Sequence, residues 1–106
     1  MLRFKEHAER AELEQLYLLN RGHPSMDLAL TIQAGISPAE LTGLIQQAAR
    51  LAGVSAQDMP RFEADIKKYK EYDTVELQTA AISKVLDEWA AKTKARLGQQ
   101  ELPGLP

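Results

Sequence analysis

A chain of 106 residues holds one domain, and at this length roughly 65% of the unfolded surface can be buried in a single core without staples. The absence of cysteine excludes disulfides, thiolate zinc sites and a cysteine nucleophile, and makes a reducing cytoplasm the expected setting. Thirteen Lys and Arg against fifteen Asp and Glu leave a net charge of -2, which gives no general pull toward nucleic acid or an anionic membrane. The charged start Met1 to His7 lacks the apolar run of a signal peptide, and no segment approaches the roughly 20 apolar residues of a membrane span, so no membrane association is expected.

In chain order, residues 1 to about 20 read as a helix with Phe4, Ala8, Ala11, Leu16, Leu18 and Leu19 on its apolar side. Glu6 and Arg10 stand at i,i+4 spacing there. Gly22 and Pro24 stop this helix, and Ser25 is the expected cap of a short, mostly apolar second one over about 26–34. Its composition, with Met26, Leu28, Leu30 and Ile32, suits burial on more than one side. A third helix runs from Pro38 to about Ala52 with a core stripe of Leu41, Leu44, Ile45, Ala48, Leu51 and Ala52. Pro60 delays the fourth to about 60–72, where Phe62, Ile66 and Tyr69 share a face. Asp73 to Glu76 is a capping pattern that opens the longest helix, about 74–97, with Val75, Ala81, Ile82, Val85, Leu86 and Trp89 on its buried side. Gly98 closes it, and 99–106, with two prolines and a glycine, is expected to be a non-helical tail outside a helical domain of 1–98.

One phrase is written twice about eighteen residues apart, Ala34 to Leu41 and Ala52 to Met59. In each, a Gly (Gly35, Gly53) suits a left-handed helix end and a Ser (Ser37, Ser55) caps the next helix. An acidic residue follows at N3 (Glu40, Asp58), and an apolar pair (Ile36 with Leu41, Val54 with Met59) staples the turn. No strand pattern competes. The expected fold is all-α, a compact single-domain array of about five helices with short connections and a long C-terminal helix.

Chemistry is sparse. His7 and His23 lie on different elements; neither has a second ligand at dedicated metal spacing, and Glu14 on the face of His7 makes only two. The serines at 25, 37 and 55 and Asp73 are accounted for as caps, and no Gly-rich phosphate loop exists. The sequence therefore predicts no enzyme, no cofactor and no metal. Residues 28–47 resemble a helix-turn-helix unit through Leu30, Ala34, Gly35, Ile36, Leu41 and Leu44. As a recognition helix, the third helix would offer Gln46 and Gln47 to bases but no Lys or Arg before Arg50, whereas phosphate contacts supply most DNA affinity. Lysines and arginines gather elsewhere, at Arg61, Lys67, Lys68, Lys70, Lys92, Lys94 and Arg96, but Glu63 with Lys67 and Glu88 with Lys92 read as i,i+4 pairs on a solvated face.

Charge is missing between Ser25 and Gln57, where only Asp27, Glu40 and Arg50 carry any. Such depletion marks either a covered central helix or the core of an interface, because desolvating charges on association is costly. The sequence thus points to a protein-binding module, a regulator, adaptor or inhibitor of a larger protein, with Thr42, Gln46, Gln47 and Arg50 as contact residues. The alternative is a helix-turn-helix-like DNA-binding regulator. Self-association is a further expectation beside a monomer: a two-fold dimer would form through the charge-poor middle or the first half of the long helix, with Val75, Ile82 and Trp89, at heptad spacing, partly shared.

Overall fold

The computed structural model describes the backbone of residues 4–35 and 37–101 and the side chains of 9–35 and 37–96. Phe4, Glu6, His7, Ala8 and Ile36, and the tail from 102 onward, lie outside those limits. The architecture is all-α: α1 (Phe4–Leu19), α2 (Pro24–Gln33), α3 (Pro38–Leu51), α4 (Met59–Lys67) and α5 (Val75–Glu101), with single 3-10 turns at Ala56–Asp58 and Lys68–Glu71. Among the described residues there is no strand, and no helix is long and apolar enough to cross a membrane.

α5 is the hub. At 27 residues it is about 40 Å long, and α1, α2, α4 and the turn at Lys68–Glu71 all pack along it, whereas α3 rests chiefly on α2 and α4. Among the described residues twelve buried ones form the main core, with Ile32, Ile45, Phe62, Ile66, Ile82 and Trp89 in it. A smaller cluster of Leu13, Leu77 and Ala80 pins α1 to the first turns of α5. Three polar contacts fasten the same seam: Lys84 to Glu12 at 3.0 Å, Arg10 to Asp73 at 3.1 Å, and a hydrogen bond from the Tyr72 hydroxyl to Glu9. Burial and that carboxylate push the Tyr72 phenol well above its ordinary range, and the hydrogen bond to Glu12 raises Lys84.

Several expectations are corrected. α1 packs chiefly against α5, so its buried stripe is the narrow i, i+3, i+4 set Leu13, Leu16, Tyr17; Ala11, Leu18 and Leu19 fall off it and are exposed. Arg10 pairs with Glu14 at 3.5 Å, while the expected partner Glu6 lies outside the described side chains. α2 starts at Pro24, one residue before the expected cap, because the His23 ring accepts the Ser25 N–H at 3.3 Å. Freed from capping, the Ser25 hydroxyl bonds Ser83 of α5 at 3.0 Å. At the start of α5 the cap is Thr74, whose Oγ1 accepts the Leu77 N–H at 3.1 Å, and Val75 is exposed. α5 continues through Gly98 to Glu101, since a helix accommodates an interior glycine at a cost of about 1 kcal/mol and the next breaker is Pro103. Ile82 and Trp89 are buried within their own chain, and of the heptad row Val75 alone is exposed.

The two repeated joints share their caps and differ in their glycines. Ser37 accepts the Glu40 N–H at 3.1 Å and Ser55 the Asp58 N–H at 3.3 Å. Gly53 is left-handed at φ +75°, with the Val54 N–H on Ala49 O (2.9 Å) and the Gly53 N–H on Arg50 O (3.2 Å), which is the Schellman pairing. Gly35 is not left-handed; its N–H still reaches Ile32 O at 3.1 Å, but a left-handed turn is absent.

Among the described residues, one buried side-chain polar atom lacks a partner. Thr79 on α5 is fully buried and its hydroxyl bonds to nothing. Thr79→Val keeps the shape and removes the orphan, so it should raise the unfolding free energy by about 1 kcal/mol. Urea denaturation checks this; a loss of stability would mean the hydroxyl has a partner in solution.

Candidate functional site

The position of α3 in the array decides what it can do. Because it lies on α2 and α4, away from the middle of α5, its inner face carries Leu41, Ile45, Ala48 and Ala49 into the core and the opposite face has nothing over it. Thr42, Gln46, Gln47 and Arg50, the four predicted contact residues, are all exposed on that opposite face. Gly43 lies among them, with no atom within 4 Å of where a Cβ would stand. The charge-poor stretch is therefore no covered central helix along this face. Arg50 has no carboxylate within 4 Å among the described residues.

Leu51, expected in the core, is 72% exposed. At 100° per residue it falls between Gln47 and half-buried Leu44, on the edge of the outer face. There it borders a groove of about 310 Å³ whose walls are Leu28 of α2, Ala48, Leu51 and Ala52 of α3, and Leu86 and Ala90 of α5. One acidic side chain, Asp87, stands on its rim. No sequence pattern could have shown this groove, since three helices contribute to it.

Beyond the end of α3 lies an indentation of different character, about 200 Å³, with Gly53 and Val54 on one side and Trp89, Lys92, Thr93 and Arg96 of α5 on the other. Arg61 closes it, and Asp58, 3.9 Å from Arg61, is the one carboxylate of its lining. The expected Glu88 to Lys92 pair does not form; Lys92 instead places its ammonium 5.1 Å from the centre of the Trp89 ring, a cation–π contact. Glu63 and Lys67 are likewise unpaired with each other. Lys67 and Lys70 flank a third indentation, of about 260 Å³, with Ser37, Pro38 and Thr42 at the start of α3.

Among the described residues no three His, Asp or Glu side chains converge on a point where a metal could sit. His23 is engaged as the α2 cap, bonded to the backbone and hydroxyl of Ser25. The pairing of His7 with Glu14 lies outside the described side chains. No protein-family profile matches the chain, and no curated protein and no solved structure matches it.

Proposed function

We propose that this chain is a non-enzymatic protein-binding module, a regulator, adaptor or inhibitor that grips a larger protein through the outer face of α3. The observation that carries the reading is the uncovered row of Thr42, Gln46 and Gln47 running into solvent-exposed Leu51: neutral side chains, an open helix face and an apolar edge in one surface. Such a surface loses little hydration on association, and the adjoining groove offers apolar area to bury. The Gln46→Glu/Gln47→Glu double variant should keep its stability within about 0.5 kcal/mol, because both side chains are exposed. In a pull-down from the source-cell lysate it should lose the partner that the wild-type chain retains through nuclease treatment. A partner held equally by both proteins would refute the assignment of this face.

A DNA-binding reading of the α2–α3 unit has one observation in its favour. Lys67 and Lys70 stand beside the first turn of α3, where they could supply the phosphate contacts that the helix itself lacks. Salt separates the two readings. Binding through several phosphates should weaken by orders of magnitude between low and moderate salt, while a contact built on Leu, Gln and Ala should barely respond.

A further inference from the structure

α1 is held differently from every other helix. The main core draws its twelve buried residues from α2, α3, α4, α5 and the turn at Lys68–Glu71. Among the described residues none comes from α1, whose one fully buried side chain, Leu13, sits with Leu77 and Ala80 in the separate small cluster. Leu16 and Tyr17 add half-buried flanks. Toward α4 the helix stands off, because a cleft of about 240 Å³ opens between Glu9 and Leu13 of α1 and Asp65, Lys68 and Tyr69 of α4 and the turn after it. α1 is thus seated along one neighbour, on an apolar contact far smaller than the core beside it.

The ion pairs across the seam guide α1 without clamping it. The Glu12 and Asp73 side chains are 61% and 72% exposed, and pairs so open to water contribute little to stability. The chain on either side of the seam is fastened independently. His23 caps α2, its carbonyl accepts the Met26 and Asp27 N–H groups at 2.9 and 3.1 Å, and the Ser25 hydroxyl is bonded to Ser83, so the start of α2 is fixed to α5 with no help from α1. Tyr72 has its carbonyl held by the Gln78 side chain at 2.9 Å, and Gln78 is bonded in turn to Gln33 of α2. Between the two helices stand Asn20, Arg21 and Gly22, the last left-handed at φ +85° with open space where a Cβ would be.

We propose that α1 is a hinged strap: it swings off α5 as a unit about Asn20 to Gly22 while α2 to α5 stay folded, and so masks and unmasks the apolar strip of Leu77, Ala80 and Ala81. Units with few buried apolar contacts open many times for each global unfolding. A helix of 16 residues is marginal in water, so the strap unwinds once it leaves the seam. The device uses none of the α3 residues assigned to partner binding and stands or falls apart from that reading.

Thiol labelling of the full-length chain tests it, since the sequence contains no cysteine of its own. Ala80→Cys places a thiol in the α1 seam and Ala48→Cys places one in the main core, both at positions with 0% exposure. The first should react with a maleimide at least about tenfold faster than the second. Its rate should change little with urea below the unfolding transition, whereas that of Ala48→Cys should climb as global unfolding does. Hydrogen exchange of the unsubstituted chain repeats the comparison without a new side chain: the amides of 11–19 should exchange together, about tenfold or more ahead of those of 41–49 and 82–89. Leu13→Asp should hold the strap open. Its far-UV circular dichroism should lose the share of the 16 residues of α1, while Trp89 emission and a cooperative urea transition remain.

Equal labelling of the two thiols with one shared urea dependence overturns the inference, because α1 then leaves only when the whole chain unfolds. A Leu13→Asp chain with the Trp89 emission of the denatured protein overturns it for the same reason. Fast labelling of Ala80→Cys beside α1 amides as slow as those of the core also overturns it, since the strip would then be reached with the strap in place.

Discussion

Trp89→Ala is expected to lower the unfolding free energy by about 3–5 kcal/mol, the range for emptying an aromatic site in a packed core. The side chain is 8% exposed, packs edge-on against fully buried Phe62 with ring centres 5.7 Å apart, and donates its indole N–H to Asp65 at 3.0 Å. The truncation therefore removes the contact that ties α4 to α5 and strips Asp65 of a donor, leaving it only Lys68 at 3.8 Å. A domain of this size has roughly 5–15 kcal/mol in total, so the loss is a large part of its stability. Trp89→Phe separates the two contributions: it keeps a ring against Phe62 and gives up the hydrogen bond, and should cost about 1–2 kcal/mol more than ring packing alone explains. Urea denaturation followed by far-UV circular dichroism measures both. A midpoint unmoved by Trp89→Ala would show that the indole is not part of the core.

The burial of Trp89 could be read from the sequence because it depends on one helix. Ile82, Leu86 and Trp89 repeat at helical spacing, and the residues between them include Ser83, Asp87 and Glu88. The caps at Ser37 and Ser55 were legible for the same reason: the Ser and the amide it accepts are three residues apart. What depends on several helices was not. Leu13 is flanked by two glutamates, yet it is the anchor of α1, because α1 packs chiefly on α5 and needs only a thin stripe. Leu51 fits the stripe of α3, but it falls at the edge of the outer face, where it stays exposed while Ala48 and Ala49 of the same turn are buried. The outer face of α3 could be picked out from missing charge, a local property. The basic indentation could not, because i,i+4 spacing suggested that Glu88 neutralises Lys92, whereas Lys92 sets its ammonium over the Trp89 ring. Identical wording at Gly35 and Gly53 gave equal expectations, and only packing told them apart.

That difference predicts a second large effect. Gly53→Ala should destabilise the chain by roughly 2–4 kcal/mol, from two sources that add. A Cβ in the left-handed region costs about 1–2 kcal/mol by itself. It would also stand 2.6 Å from Cγ2 of Thr93, with Thr93 Cβ and Oγ1 both at 3.5 Å. Threonine on a helix has few rotamers to escape into, and rotating it breaks the 3.4 Å hydrogen bond from its hydroxyl to Gly53 O. At Gly35, where φ is ordinary and the tightest approach is 3.2 Å to Ile32 O, alanine should cost no more than about 1 kcal/mol. The collision and the conformational strain can be measured apart. Thr93→Ser deletes Cγ2 and keeps the hydroxyl, so Gly53→Ala in that background should lose the steric part and retain the left-handed cost. The expected interaction energy in the four-protein cycle is about 1 kcal/mol or more, favourable to the double variant. Strict additivity would mean that the joint after α3 does not close against α5 at Thr93 as described.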